Sequence, residues 1–288
     1  MKRKYMIIVL MAGALELTGC SQGTSNSAKN GTTGSENTII SESDIAILDT
    51  EDMFTERDRD TEYDESECTA ISLSDEETKC DSDGVKMDGQ TVTITEGGTY
   101  LLTGSLSNGS VVVDTDKTEK VQLILENVSI INEEGAGICV EQADKVFITL
   151  ADGSTNKIVS NSFTGNEDTN IDGAIFSRED LTLNGSGTLK ITSAAHGIVS
   201  KDDLVLTGGV YQIQSEKQGL SGKESVRIAD ETFTITSGTD AIHSEDTDED
   251  TKGFVYITGG VLTLAAGGDG ISSSYVVQAD GGSFDIST

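Results

Sequence analysis

Proline is absent from all 288 residues, although an average composition would supply about 14. Tryptophan is also absent, and aromatic residues make up only 5% of the chain, which argues against large aromatic clusters. Two histidines, His196 and His243, are too few for His-rich zinc or haem chemistry. Basic residues are scarce as well: 19 Lys and Arg stand against 50 Asp and Glu, a formal charge of −31. That balance excludes nucleic acid as a partner, because phosphate recognition needs a cationic face. No apolar run approaches the roughly 20 residues that a bilayer-spanning helix requires. What the chain does have is 35% hydrophobic residues and 32 glycines, enough apolar material for one long core or two compact ones.

The beginning of the chain reads as an address. Lys2, Arg3 and Lys4 precede a largely apolar run from Tyr5 to Leu15, and Leu17-Thr18-Gly19-Cys20 follows. Those four residues resemble a bacterial lipobox, in which the cysteine receives a diacylglycerol and becomes the first residue. Residues 1–19 are therefore expected to be a lipoprotein signal peptide and Cys20 the lipidated residue. The expected location is extracytoplasmic, with the lipid as the only membrane tether, since so acidic a surface repels anionic headgroups. Residues 20–84, rich in Ser, Thr, Asn, Gly and acids, read as a flexible, self-repelling linker. Asp44 to Leu48 could form a short helix or strand within it, and Asp49 to Glu67 reads as a solvated acidic tail. Cys68 and Cys80 lie at its end, where an oxidising compartment permits a disulfide without the sequence deciding it. Cys139 sits in an apolar segment and reads as a buried, unreactive thiol.

From there the chain repeats. The segments starting at Asp172, His196, Gln218, Asp240 and Asp269 share a Gly/Ala-Ile-like core, and their starts differ by 24, 22, 22 and 29 residues. Each is followed by two short alternating strands, such as Leu204-Val205-Leu206 and then Tyr211-Gln212-Ile213. A unit of about 22 residues with three strands cannot bury its inner face alone, but stacked coils can. The expected fold is all-β, a right-handed parallel β-helix over residues 85–288. In such a stack Leu189, Tyr211, Phe233, Leu262 and Phe284 form one interior ladder, and Ile191, Ile213, Ile235, Leu264 and Ile286 its neighbour. Glycine pairs fit the corners, and the lack of proline follows because nearly every strand must donate its N–H groups along the stack. A leucine-rich repeat would need asparagine ladders and a helical return, which the sequence lacks. A β-sandwich is the alternative, with Gln90 to Ile130 as one half. Gly137 to Leu150 reads as an earlier, irregular coil and Asn161 to Asn170 as an insertion. Thr288 ends a strand without a polar cap, so a longer native chain or a paired end is expected; the protein is otherwise expected to be a monomer.

Asp240 and Asp269 open consecutive coils, which would bring their carboxylates to about 5 Å and a repulsion of roughly 1 kcal/mol in water. The longer coil between them carries Glu245, Asp246, Asp248, Glu249 and Asp250, a concentration of hard oxygen ligands that suits calcium. The spacing is not that of an EF-hand, and the plain alternative is a solvated acidic loop.

The Asp-Gly-Ile-x-Ser coils, the Gly-Gly corners, the segment Ala143 to Leu150 and the lipobox together resemble the carbohydrate-binding β-helix lipoproteins of clostridia and their relatives. The resemblance covers residues 85–288. It implies a pectate-lyase-like fold, binding of cellulose-like and polygalacturonate-like polysaccharides without a lyase centre, and calcium held by corner aspartates, here Asp172, Asp240 and Asp269. His196 and Gln218 interrupt that column. Ala195-His196-Gly197, Asp202-Asp203 and Val226-Arg227-Ile228 resemble elements of polygalacturonases, but the paired acids follow the histidine instead of preceding it, and adjacent residues on a strand point to opposite faces. A lyase would need a cationic base; Arg178, Lys201 and Lys223 occupy equivalent places in three coils, beside Glu179, Asp202 and Glu224, and could also contact uronate carboxylates. Tyr256 and Tyr275 are the aromatic residues expected to face outward as sugar platforms. The resulting expectation is a lipid-anchored polysaccharide-binding protein, calcium-assisted and non-catalytic, with a calcium-dependent lyase and a structural surface rod as alternatives.

Overall fold

Strands of five or six residues with one apolar phase gain little alone, so their backbone groups must be satisfied by the next pass of the chain. The computed structural model describes residues 47–164 and 170–288, and in it nearly every strand is paired in that way. The expected signal peptide and Cys20 lie outside the described residues.

After a single helical turn, α1 (Glu56–Arg59), come the irregular first strands: β1 (Thr69–Leu73), β2 (Val85–Asp88), β3 (Thr91–Ile94), β4 (Gly98–Leu106), β5 (Ser110–Asp114) and β6 (Lys120–Asn132). Regular coils of three strands follow. They are β7 (Ile138–Gln142), β8 (Lys145–Leu150) and β9 (Thr155–Ser160); β10 (Gly173–Ser177), β11 (Asp180–Gly185) and β12 (Thr188–Ser193); β13 (His196–Ser200), β14 (Asp203–Leu206) and β15 (Val210–Ser215). The last three coils are β16 (Leu220–Gly222), β17 (Ser225–Ile228) and β18 (Thr232–Ser237); β19 (Ile242–Ser244), β20 (Phe254–Ile257) and β21 (Val261–Ala266); β22 (Ile271–Ser273), β23 (Val277–Ala279) and β24 (Ser283–Ser287).

Every third strand pairs with the next, always in parallel among these coils, which produces three faces. Face A stacks β8, β11, β14, β17, β20 and β23; face B stacks β9, β12, β15, β18, β21 and β24; face C runs from β7 through β10, β13, β16 and β19 to β22. The long strand β6 serves two faces, pairing with β8 over Lys120–Leu125 and with β9 over Ser129–Asn132. It bends between them at Asn127, whose φ is 56°. Later coils make the same bend with glycine at positive φ, as at Gly209 and Gly260.

Both expected ladders stand in register. Leu189, Tyr211, Phe233, Leu262 and Phe284 are successive partners, as are Ile191, Ile213, Ile235, Leu264 and Ile286. Their side chains fill the interior of the stack except in the last coil, where Phe284 is half-buried and Ile286 is 42% exposed because no further coil covers them. Tyr211 and Phe233 lie nearly parallel with ring centroids 4.9 Å apart. The sandwich alternative fails because β3 pairs with β5, and β4 with β6, in parallel within the same stack.

Two expectations need correction, and one device at the corners was not foreseen. The first corner is out of phase by one residue: Gly173, not Asp172, pairs with His196, because Ala174 adds a residue before the shared Ile175–Ile198 step. Buried serines, unforeseen at the corners, also turn the chain there. Ser177, Ser200, Ser215 and Ser237 each bond to backbone two residues on or receive a bond from it, a local closure that competes with strand continuation. Finally, the linker boundary at residue 84 is too late, since β1 joins the stack beside β4 and residues 48–60 lie across face A. Specific anchors in this acidic stretch, above all Asp58, outweigh its solvated composition.

Candidate functional site

The corner between faces C and A carries the basic column. Arg178, Lys201 and Lys223 follow Ser177, Ser200 and Gly222, which are partners in register. Each cation already has an acid: Arg178 Nε lies 2.6 Å from Glu141, Lys201 Nζ 3.7 Å from Asp172, and Lys223 Nζ 3.0 Å from Asp248. Beside them Asp202 is pushed up to about 6, first by burial and then by the neighbouring carboxylates of Asp180, Glu224 and Asp203. Asp172 also faces His196, with Oδ2 3.4 Å from Nε2. Burial works against ionisation of Asp172, but His196, Lys201 and Lys217 outweigh it and hold the carboxyl below the usual carboxylate range.

The acidic loop does not gather its carboxylates. Asp240 Oδ1 accepts the Asp269 backbone N–H at 2.8 Å, and Asp240 Oδ2 lies 3.0 Å from His243 Nδ1. Glu245 lies on the other side of the imidazole, 3.7 Å from Nε2. Asp246 Oδ1 accepts from the backbone of Asp248 and Glu249, so it closes the loop on itself. Among the described residues no three His, Cys, Asp or Glu side chains are grouped to hold a metal ion. The donor set expected for calcium is thus present in sequence, but as arranged it does not fit the ion's need for many convergent oxygens.

Cys68 and Cys80 are separate thiols here, not a disulfide: Cys68 Sγ donates to the Asp64 carbonyl, while Cys80 packs against the core. Cys139 is buried beside Phe176 and Val199, and burial, then Glu141, pushes its thiol well up.

The three faces differ in what covers them. On face A the outward row Gln122, Phe147, Thr182, Val205, Arg227, Tyr256, Gln278 crosses the strands in register. Residues 48–60 lie over it. Asp58, 1% exposed, bonds through Oδ1 to Lys145 Nζ at 2.8 Å and accepts from Thr182 Oγ1 at 2.6 Å. Arg57 lies over the Phe147 ring at 4.4 Å, and Phe54 meets Tyr256 with centroids 6.0 Å apart. Tyr256 therefore faces outward from its strand, as expected, but is covered and only 4% exposed; Tyr275 is 37% exposed.

Face B is open. Its outward row Lys157, Lys190, Gln212, Thr234, Thr263, Asp285 runs one residue per coil in register, with Val159, Thr192, Gln214, Thr236, Ala265 and Ser287 alongside. Lys190, Thr192, Gln212, Gln214, Thr234 and Thr236 are all exposed around a shallow depression. The result is a flat array of hydroxyl, amide and ammonium groups backed by the fully buried ladder. Sequence reasoning passed over it because polar phases of strands read as mere solvent contact; the signal was the repetition of Thr and Gln at one phase in successive coils. It also passed over Asp58, although Thr55-Glu56-Arg57-Asp58 has the capping-box pattern and forms that box.

The sequence model of the family described as carbohydrate-binding domain-containing protein matches residues 88–288. The chain belongs to this carbohydrate-binding domain family. A curated relative of the same description from Acetivibrio thermocellus is 34% identical over 137 residues, 46% of this chain and 48% of its own. The chain thus matches about half the length of that relative. A solved structure, described as the polysaccharide lyase-like protein from C. thermocellum in a gadolinium derivative, is 30% identical with a TM-score of 0.69. The match covers 75% of this chain and 99% of the other. Family membership and the lyase-like likeness together agree with an all-β chain built on a long parallel sheet.

Proposed function

We propose that this protein binds polysaccharide along face B and does not cleave it. The observation that carries the reading is the open polar row Lys190, Gln212, Thr234, Thr263, which offers donors and acceptors once per coil at about 4.8 Å. A linear glycan laid across the strands meets an equivalent group at each step, so weak hydrogen bonds add along its length. The family description supports carbohydrate as the ligand. The coils are taken as right-handed, the hand that parallel connections adopt in nearly all cases. Cys20 is the proposed lipid anchor and the extracytoplasmic side the proposed location, on the signal pattern alone.

Cleavage is the second reading, supported by the lyase-like description of the structural neighbour. It would need a free cationic base, and Arg178, Lys201 and Lys223 each face a carboxylate. Calcium assistance would require the carboxylates of the acidic loop to converge, which among the described residues they do not, so binding is not routed through an ion here.

Pull-down of the full chain on cellulose and on polygalacturonate, with and without EDTA, tests these readings while ultraviolet absorbance monitors unsaturated products. Retention that Gln212→Ala with Thr234→Ala abolishes supports face B. Product formation would establish the lyase, retention lost with EDTA would restore calcium, and retention on neither polymer would leave a structural rod.

A further inference from the structure

Face A is a built groove whose present occupant is the chain's own acidic segment. Around Asp58 groove side chains are the donors and the segment supplies the acceptors: Lys145 and Thr182 reach the Asp58 carboxylate, Asn184 reaches the carbonyls of Asp58 and Asp60, and Arg227 reaches the carbonyl of Met53. At the edges the segment donates, from Arg57 to Gln122 and from the Leu48 backbone to Gln278. Lys145 is itself largely covered, with 16% of its side chain exposed, so its positive charge is committed to whatever carboxylate fills that slot. The occupant, a run of turns ending in α1, is net acidic, carrying Asp49, Glu51, Asp52, Glu56, Asp58 and Asp60 against Arg57 and Arg59 within twelve residues. Yet the only one of these carboxylates that enters the groove fully is Asp58.

We infer that residues 48–60 are a removable stand-in for an acidic polysaccharide, and that the slot formed by Lys145 and Thr182 takes one of that polymer's uronate carboxylates when the segment withdraws. This rests on the reading that the protein binds polysaccharide, and adds to face B a second, masked site of different chemistry. A uronate chain reproduces what the segment offers: a carboxylate for Lys145, acceptor oxygens for Asn184 and Arg227, and flat faces for the Phe147 and Tyr256 rings now met by Arg57 and Phe54. A neutral glucan lacks the carboxylate and would leave Lys145 with only its register partner Asp180 as counter-charge. While the segment is docked, affinity for the uronate polymer is reduced by the fraction of time that the groove is closed.

The test compares the full chain with Asp58→Ala, with the chain lacking residues 48–60, and with Asp58→Ala combined with Lys145→Ala. Polygalacturonate, its methyl-esterified form and cellulose are the probes, and hydrogen exchange follows the opening of the segment. Asp58→Ala should speed exchange in residues 48–60 and tighten polygalacturonate binding about tenfold, a typical coupling. Binding of the esterified polymer and of cellulose should stay unchanged, and Lys145→Ala should abolish the gain. A synthetic peptide of residues 48–60 should compete with polygalacturonate for the shortened chain. If Asp58→Ala accelerates exchange without tightening binding, or if the gain survives Lys145→Ala or appears equally with the ester, the inference is overturned. Should the shortened chain fail to fold, the Asp58→Ala comparison decides alone. Cellulose retention reports on face B separately, so loss of one site is not mistaken for loss of the other.

Discussion

Glu231 occupies the position that Gly209 and Gly260 hold in the neighbouring coils, but its side chain turns into the stack, 2% exposed, where its carboxyl oxygens meet only the backbone N–H groups of residues 229–231, too poorly aligned for full hydrogen bonds. Burial pushes it up to about 8 from 4.5. The group therefore stays protonated when folded and ionises freely when unfolded, so its contribution to stability is complete below about pH 4.5 and is lost as the pH rises to about 8. Glu231→Gln keeps the shape and removes the titration; its melting temperature should change less over this range and exceed that of the parent at pH 8, by a few kcal/mol at most in stability. Asp58 has the opposite sign. Burial alone would raise it, but Lys145, Thr182 and Thr55 outweigh that and lower it to about 2 from 3.8. Docking of residues 48–60 should hold above pH 4 and fail as the pH falls toward 2, with about 2 kcal/mol at stake, read as faster proteolysis or exchange of that segment. Neither residue could be singled out from the sequence. A lone Glu after a turn and an Asp in an acidic run both look solvated, and only the arrangement of distant strands makes one buried and the other paired.

The strands themselves were legible, because a period of two with one apolar phase, repeated at nearly constant spacing, leaves little choice of register. Leu189, Tyr211 and Phe233 stand in one file as the alternation requires. Phe233→Ala opens a hole between Tyr211 and Leu262 in that file, and should cost about 3–5 kcal/mol, measured as a fall in the urea midpoint. Corners were harder to read. The bend between faces A and B is made with Gly at several levels and Asn127 at another, while serine bonds close the other two corners, so composition does not fix phase, and one additional residue, Ala174, shifted the first coil. The acidic loop misled for a related reason. Proximity in sequence suggested a cation site, but the backbone N–H groups of Asp248, Glu249 and Asp269 and the ring of His243 take up the carboxylates.

At the scale of the whole molecule, one stack presents three surfaces in different states: face A under the N-terminal segment, face B open, and face C with Cys139, Phe176 and Val199 buried on its outer side. The formal charge of −31 acts on all of them. A polyanion must approach against that field, whereas a neutral glucan feels almost none of it. Raising salt from about 0.01 M to about 0.15 M shortens the screening length from roughly 30 Å to 8 Å, so association of polygalacturonate should accelerate and that of soluble cello-oligosaccharides should not, as stopped-flow or surface-based kinetics can measure. The family likeness and the overall architecture were readable from the repeats, whereas the division of labour among the faces was not, since it depends on which side the preceding segment happens to cover.

The outward rows of face B also behave as a scale with fixed graduations of about 4.8 Å. A linear polymer whose own pitch differs slightly from this slips out of step with it, as two scales of a vernier do. Affinity should rise with oligomer length only until the accumulated offset reaches half a graduation, then level off. The length at the plateau measures the ligand's pitch against that of the protein.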